Sequence, residues 1–191
     1  MTELKLLINS MKNKPEIIAI TEVKPKNIES LIESELYISG YNIFCDLGKN
    51  KCGIIIYTIK DIKAKQISFT SVANEYVYVE LHNKNDKILI ACIYRSPSSS
   101  YDNNDNINKL IDDIMSIKAR FKLIVGDFKF ADINWNKWEG HTPARNKFLH
   151  KIQGNFLSQH VTSPARARGA NEPSLLDLVI SNEDFLTILI I

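Results

Sequence analysis

The sequence has few cysteines, no strong excess of charge of either sign and no long apolar run, and each absence excludes a class of protein. The three cysteines, Cys45, Cys52 and Cys92, are an odd number without metal-ligand spacing, which argues against a disulfide scaffold or a zinc module. The longest apolar run, residues 186–191, is far too short to cross a bilayer. The N-terminal segment lacks the cationic start and apolar core of a signal peptide. We therefore expect an intracellular protein, nuclear or cytoplasmic and not secreted, with no membrane partner.

The bulk composition is typical of one folded domain. The chain has 191 residues, of which 45% are apolar and 24% charged, which excludes wholesale disorder. The net charge is only +2, so partners must be inferred from where the charges lie. No repeat or linker divides the chain, and we expect a single domain over residues 1–191.

The pattern of apolar residues predicts β-rich stretches with interspersed helices. Continuous apolar runs are typical of strands covered on both faces, and spacings of three and four residues are typical of amphipathic helices. Residues 96–106 are predicted to form a polar loop, and residues 129–142 a loop that carries two tryptophans. This order favours an α/β fold of two packed sheets with helices outside. The predicted strands are 16–22, 41–45, 52–59, 64–70, 75–82, 87–95, 121–128 and 175–180, and the predicted helices are 2–13, 27–36, 105–118 and 143–156.

Three polar residues lie where predicted buried strands end. Glu22 closes one strand, Tyr94 another and Asp127 a third. In α/β layers, ligand sites gather where strands end and loops begin. Two carboxylates brought together there would suit Mg²⁺ or Mn²⁺, which proteins hold with few carboxylates. A single acid at a strand end is more often a turn or cap residue, so the combination of the three carries this interpretation.

Several segments, taken in order, resemble the endonuclease/exonuclease/phosphatase (DNase I-like) superfamily. The similarity is strongest to the endonuclease domain of non-LTR, LINE-type retrotransposons. It covers nearly the whole chain, and it implies a four-layer α/β/β/α sandwich of two packed mixed sheets with outer helices. The segments that carry it are PEIIAITE (15–22), CGIIIYTIK (52–60), EYVYVEL (75–81), ILIACIYRSP (88–97), LIVGDFKFADINW (123–135) and LSQHVTSPARARGANEPSLLDLVISN (157–182).

The resemblance also implies roles for individual residues. Glu22 would hold the metal, Mg²⁺ or Mn²⁺, and the Tyr94 hydroxyl would donate to the scissile phosphate. Asp127 would orient or deprotonate the attacking water, and Asp177 matches the acid that orients a catalytic histidine. These groups fit phosphodiester hydrolysis, which needs a cation near the phosphoryl oxygens and an aligned water. The implied partners are DNA and, in the parent element, a reverse transcriptase domain.

The chain departs from the family pattern at three places. Lys129 stands where the family has an asparagine after Gly-Asp-Phe, and lysine offers only donors and a charge. We expect Lys129 to pair with Glu22 or Asp127, to occupy the position of the cation and to weaken metal binding. The family's first strand, with a catalytic asparagine, would precede Met1, and no histidine follows Asp177. The resemblance therefore predicts a domain truncated at both ends, with unpaired sheet edges and an apolar terminal segment at residues 186–191.

A basic stretch gives a candidate nucleic-acid surface. Residues 140–171 contain no Asp or Glu, and basic side chains suit a phosphate backbone. A solvated basic surface is the alternative without the family resemblance. Trp135 and Trp138 could stack on bases, although packing is favoured for Trp135 because it follows a buried strand. The predicted nucleic-acid-binding residues are Arg95, Arg145, Lys147, Arg166 and Arg168, and Lys151 lies in the same stretch.

Three functions follow from these observations. The first is a DNA-nicking endonuclease domain of a retrotransposon, with impaired or lost activity because one cooperative site lacks several of its parts. The second is a non-catalytic remnant or nucleic-acid-binding module with the same fold. The third is a phosphatase acting on a small phosphoester, against which the segment at 157–182 argues.

Overall fold

A computed structural model describes residues 1–24, 33–48, 51–68, 73–83, 86–163 and 175–183. Four helices and eleven strands lie within these residues. No helix among them is long and apolar enough to cross a membrane. The helices are α1 (Thr2–Ser10), α2 (Glu33–Leu36), α3 (Tyr101–Ser116) and α4 (Pro143–Gly154). The strands are β1 (Ile17–Thr21), β2 (Tyr41–Asp46), β3 (Ile54–Ile59), β4 (Lys63–Ile67), β5 (Tyr76–Asn83), β6 (Asp86–Tyr94), β7 (Phe121–Asp127), β8 (Ile133–Asn134), β9 (Glu139–Gly140), β10 (Ser158–Gln159) and β11 (Asp177–Ser181).

Two main sheets pack against each other. The larger has the strand order β10-β11-β7-β6-β5-β4, and its pair β6–β7 is parallel while its other pairs are antiparallel. The smaller has the order β1-β3-β2 with antiparallel pairing. Strands β8 and β9 form a separate two-stranded ribbon. The predicted fold class, two packed sheets with helices outside, is confirmed.

The two-residue period of the strands divides the core into three layers. On β6, Leu89, Ala91 and Ile93 face the layer shared with α3 and α4, whereas Ile90, Cys92 and Tyr94 face the layer between the sheets. The third layer lies under α1 and α2, against the outer face of β3. Both faces of these strands are therefore buried, which explains why their sequences are almost continuously apolar.

The start of α3 and the end of α1 differ most from the predicted helix boundaries, and the ends of α3 and α4 lie two residues earlier than predicted. The helix predicted at 105–118 begins at Tyr101, so half of the predicted loop at 96–106 is helical. Its cap explains the difference, because the Ser100 hydroxyl accepts a hydrogen bond from the Asn103 N–H at 3.2 Å. The helix predicted at 2–13 ends at Ser10 and the backbone is extended at Met11. Of the helix predicted at 27–36, residues 27–32 lie outside the described residues, as does the apolar segment 186–191.

Candidate active site

Strand pairing brings three of the predicted site residues to one end of the larger sheet. Asp127 at the end of β7 is the register partner of Tyr94 on the parallel strand β6. Asp177, the first residue of β11, is its register partner on the other side. The backbone carbonyl of Asp127 accepts a hydrogen bond from the Arg95 N–H at 2.9 Å. The position of Asp127 is therefore fixed by ladders on both sides.

A glycine makes this arrangement possible. Gly126 has a φ of 144°, and a Cβ atom built on it would lie 1.9 Å from the backbone oxygen of Ile93. No side chain fits in that space, and the backbone conformation is one that L-residues rarely adopt. The glycine therefore lets β7 approach β6 closely just before the chain presents Asp127.

Glu22 and Lys129 reach the site from positions with left-handed backbone conformations. Their φ angles are 55° and 49°, and such values are uncommon for residues other than glycine. Each residue directly follows or nearly follows a strand, Glu22 after β1 and Lys129 two residues after β7. Strain of this kind persists where surrounding contacts hold the backbone, and it concentrates at functional sites.

The side chains meet between the two sheets. The Tyr94 hydroxyl donates a hydrogen bond to Oε1 of Glu22 at 2.9 Å. The Lys129 ammonium lies 3.6 Å from Oε2 of Glu22 and makes a close ion pair with Oδ2 of Asp127. The backbone N–H of Lys129 donates to the other oxygen of Asp127, Oδ1, at 3.2 Å. One lysine therefore bridges the two carboxylates that the sequence assigned to a metal site.

Burial differs strongly between the two carboxylates. The side chain of Asp127 is 6% exposed and that of Lys129 is 19% exposed, whereas that of Glu22 is 49% exposed. Burial raises the pKa of the Asp127 carboxyl above its ordinary value, and the contact with Lys129 opposes this effect. Burial also disfavours the charged form of Lys129, but the hydrogen bond and charge of Asp127, with the charges of Glu22 and Asp177, outweigh it and raise the lysine pKa. The Asp127–Lys129 pair therefore carries most of the electrostatic coupling.

Tyr94 is held as a neutral phenol. It is 5% exposed, and burial together with its hydrogen bond to the Glu22 carboxylate raises its pKa above the ordinary value. At neutral pH its hydroxyl is a hydrogen-bond donor, and Glu22 receives that donation.

With Lys129 in this position, the arrangement does not fit a divalent cation. Mg²⁺ requires free carboxylate oxygens at close range, and here each carboxylate is engaged by the lysine or by Tyr94. No cluster of three or more His, Cys, Asp and Glu side chains with metal-site geometry occurs in the described ranges. A metal would have to displace the ammonium group first.

Asp177 begins β11, whereas the ring of His160 contacts the last residue of that strand, Ser181. Asp177 is exposed at the start of β11, and its charge raises the pKa of Asp127. The ring of His160 instead shares a hydrogen bond with the hydroxyl of Ser181, at 2.7 Å, and its backbone N–H donates to Val179. The contacts of His160 are therefore structural, since they join it to β11 and not to the site carboxylates.

Arg95, predicted to contact nucleic acid, is 5% exposed. Its Nε donates to Oδ1 of Asn104 at 2.7 Å, and its Nη1 donates to the backbone carbonyls of Ser96 and Phe128 at 3.2 and 3.3 Å. Its guanidinium stacks 4.2 Å from the ring centroid of Phe130. Arg95 therefore braces the turn that carries Lys129, and a contact with nucleic acid stays a prediction.

The other predicted basic residues are paired where the structure describes them. Arg145 makes a close ion pair with Asp132, and Lys147 contacts Asp105 of α3 at 2.7 Å. Lys151 likewise bridges from α4 to Asp112, at 2.7 Å. Surface pairs of this kind are weak enough to exchange for phosphate contacts, so these positions remain candidates. Arg166 and Arg168 lie outside the described residues.

The two tryptophans form an edge-to-face pair. The ring centroids of Trp135 and Trp138 are 5.5 Å apart, and both side chains pack against the core under α3 and α4. Packing therefore accounts for both rings, as the sequence favoured for Trp135.

The sandwich and the strand-end residues define a member of the DNase I-like endonuclease/exonuclease/phosphatase class. Solved structures with this fold include the endonuclease domain of TRAS1, a telomere-specific non-LTR retrotransposon, with a TM-score of 0.67 at 16% identity, covering 95% of this chain and 78% of that one. A 3'-5' exonuclease from Neisseria meningitidis (0.65, 13%, 94% and 80%) and an AP endonuclease from Archaeoglobus fulgidus (0.62, 12%, 94% and 80%) are also similar. At these identities the likeness shows the fold.

Sequence comparison is more specific. The chain belongs to the endonuclease-reverse transcriptase family, whose profile matches residues 88–188. The matched segment contains Tyr94, Asp127, Lys129 and Asp177. No curated protein sequence matches the chain.

Proposed function

We propose that this domain is a phosphodiesterase of DNA-endonuclease type whose activity is impaired, because Lys129 stands where the cofactor of such a site, Mg²⁺ or Mn²⁺, would bind. Family membership supports the reaction class. The observation that carries the impairment is the lysine ammonium bridging Glu22 and Asp127. DNA is the proposed substrate, and a reverse transcriptase domain is the proposed partner in the parent element.

The impairment has a physical reason at each side chain. Asp127 can orient or deprotonate a water only with a free oxygen, and Lys129 engages both of its oxygens. The Tyr94 proton can be donated to a phosphate oxygen only when it leaves Glu22. The lysine supplies a single positive charge, which can neutralise a phosphate oxygen but does not lower the pKa of a bound water as a metal does.

The same contacts favour a second candidate, a nucleic-acid-binding module without catalysis. The lysine satisfies the carboxylates in the absence of a cation, so the fold does not depend on metal to screen Glu22 and Asp127 from each other. Binding would then rest on the basic side chains of α4, Lys147 and Lys151, after exchange of their pairs with Asp105 and Asp112.

Nicking of supercoiled plasmid in Mg²⁺ and in Mn²⁺ separates the two candidates. The variants are Glu22→Gln, Lys129→Asn and, as a matched control, Lys118→Asn at an exposed position beyond α3. We expect weak nicking by the wild type, faster nicking by Lys129→Asn and background rates for Glu22→Gln. Background rates for the wild type and for Lys129→Asn, with DNA binding retained in a gel-shift assay, would favour the binding module. Nicking by the wild type as fast as by Lys129→Asn would refute the impairment.

A further inference from the structure

Glu75 lies directly before β5 and reaches from the larger sheet to the smaller one. Its Oε2 accepts hydrogen bonds from the backbone N–H groups of Cys52 and Gly53 at 2.8 and 3.2 Å. These two residues lead into β3 of the three-stranded sheet. A single carboxylate oxygen of a half-buried side chain therefore fixes the start of β3 in one sheet against the start of β5 in the other.

The segment that Glu75 holds in turn holds the chain after Glu22. The carbonyl of Cys52 accepts a hydrogen bond from the Lys24 N–H at 2.7 Å, and the carbonyl of Gly53 accepts one from the Val23 N–H at 3.2 Å. These contacts immediately follow the left-handed residue Glu22, whose φ is 55°. Because that conformation is unfavourable for a glutamate, neighbouring contacts must keep it populated.

Glu75 also contacts the other partner in the site. Its backbone carbonyl accepts a hydrogen bond from the Tyr94 N–H at 3.2 Å. The Tyr94 hydroxyl then donates to Oε1 of Glu22 at 2.9 Å. A closed circuit of hydrogen bonds thus runs from Glu75 through residues 52 and 53 to the Glu22 segment, across to Tyr94 and back.

From this circuit we infer that Glu75 is a positioning residue, which sets the Glu22 carboxylate against Tyr94 through the backbone of Cys52 and Gly53. The inference deepens the proposed function, because it concerns the same site. The role belongs to the acceptor oxygen of the side chain, since both N–H groups donate to that one atom. No sequence motif indicates this role, because Cys52 and Gly53 are 23 and 22 positions before Glu75 in the chain.

Two substitutions at this position separate the acceptor from the bulk of the side chain. Glu75→Met keeps the length of the side chain and removes the acceptor, whereas Glu75→Gln keeps an amide oxygen that can accept both bonds. The matched control is Glu80→Ala, which removes a carboxylate of the strand that follows Glu75, where it pairs with Lys87 and His82 outside the circuit.

Two NMR measurements without metal test whether Glu75 positions Glu22. They are amide hydrogen exchange of Val23 and Lys24, and the ¹³Cζ resonance of Tyr94. We expect Glu75→Met to lower protection of Val23 and Lys24 at least tenfold and to shift the Tyr94 resonance toward its value in Glu22→Gln. Glu75→Gln should stay within threefold of the wild type, and core amides of β6 should be unaffected in both. If Glu75→Met does not fold, Glu75→Asp, which withdraws the oxygen by one methylene, should give the same changes in weaker form.

Hydrogen-exchange protection of Val23 and Lys24 at the wild-type level in Glu75→Met would overturn the inference. If Glu75→Met does not fold, the same result in Glu75→Asp would overturn it. Equal losses in Glu75→Gln and Glu75→Met would overturn the assignment to the acceptor oxygen. Neither readout requires turnover or a bound metal. The inference can therefore fail while nicking succeeds, and it can hold while nicking fails.

Discussion

Replacing Lys129 by asparagine tests the competition between the lysine and a divalent cation. Breaking a buried ion pair costs about 3–5 kcal/mol when one charge is left unpaired. The side chain of Lys129 is 19% exposed and Glu22 is 49% exposed, so the lower figure applies. A cation can bind only after the ammonium is displaced, so this cost weakens its binding. At ~1.4 kcal/mol per tenfold change in affinity, ~3 kcal/mol corresponds to about a 100-fold higher dissociation constant. We therefore expect Lys129→Asn to bind Mg²⁺ about 100-fold more tightly than the wild type.

Calorimetric titration with Mg²⁺ measures both affinities, and Lys118→Asn controls for the loss of one positive charge. The same reasoning predicts that metal-free Lys129→Asn unfolds with a free energy about 3 kcal/mol below that of the wild type. Mg²⁺ at 100 times its dissociation constant should return about 2.7 kcal/mol of that loss. Equal Mg²⁺ affinities for the wild type and Lys129→Asn would refute the competition.

Three further predictions concern the fold around the site. Gly126→Ala places a Cβ atom 1.9 Å from the Ile93 oxygen. We therefore expect it to lower the free energy of unfolding, measured by urea titration, by about 3 kcal/mol or more. A loss below about 1 kcal/mol would contradict the close approach of the strands. The folded-state pKa of Lys129 is raised above 10.5, so its stabilising contribution is complete below pH 10.5 and is lost as the pH rises through the folded-state value. The difference in free energy of unfolding between the wild type and Lys129→Met should therefore shrink at alkaline pH. A gap that stays constant in urea titrations from pH 7 to ~11 would argue against the coupling. Ser100→Ala removes the cap on Asn103 and should cost ~1 kcal/mol, measured by thermal unfolding, whereas an unchanged midpoint would show that the cap contributes nothing.

The strands and their ends were predictable because their signal is local. Apolar runs identify β1, β3, β6 and β7, and the acid or tyrosine that closes or follows β1, β6 and β7 marks the end of the sheets where a site forms. The pairing of Lys129 with Glu22 and Asp127 was predictable because a lysine stands where the family's Gly-Asp-Phe motif is followed by asparagine. The start of α3 was not predicted because the residues of its first turn are polar and give no apolar periodicity. The serine at position 100, which caps the helix, was the one sequence signal for its start.

Contacts between distant residues were not predictable from patterns. Arg95 resembles an exposed basic residue in the sequence, yet its stacking on Phe130 depends on a turn 35 positions further along. Lys147 is paired with Asp105 only because α3 and α4 pack side by side. The link from Glu75 to Glu22 passes through the backbone of a third segment, and backbone contacts leave no residue-type signature.

The most direct test of the central claim is anomalous diffraction from crystals of the wild type and of Lys129→Asn soaked in Mn²⁺. We expect the Lys129 ammonium between Glu22 and Asp127 in the wild type, and a manganese peak at that position in Lys129→Asn. A manganese peak within coordination distance of both carboxylates in the wild type, with the lysine side chain turned away, would contradict it.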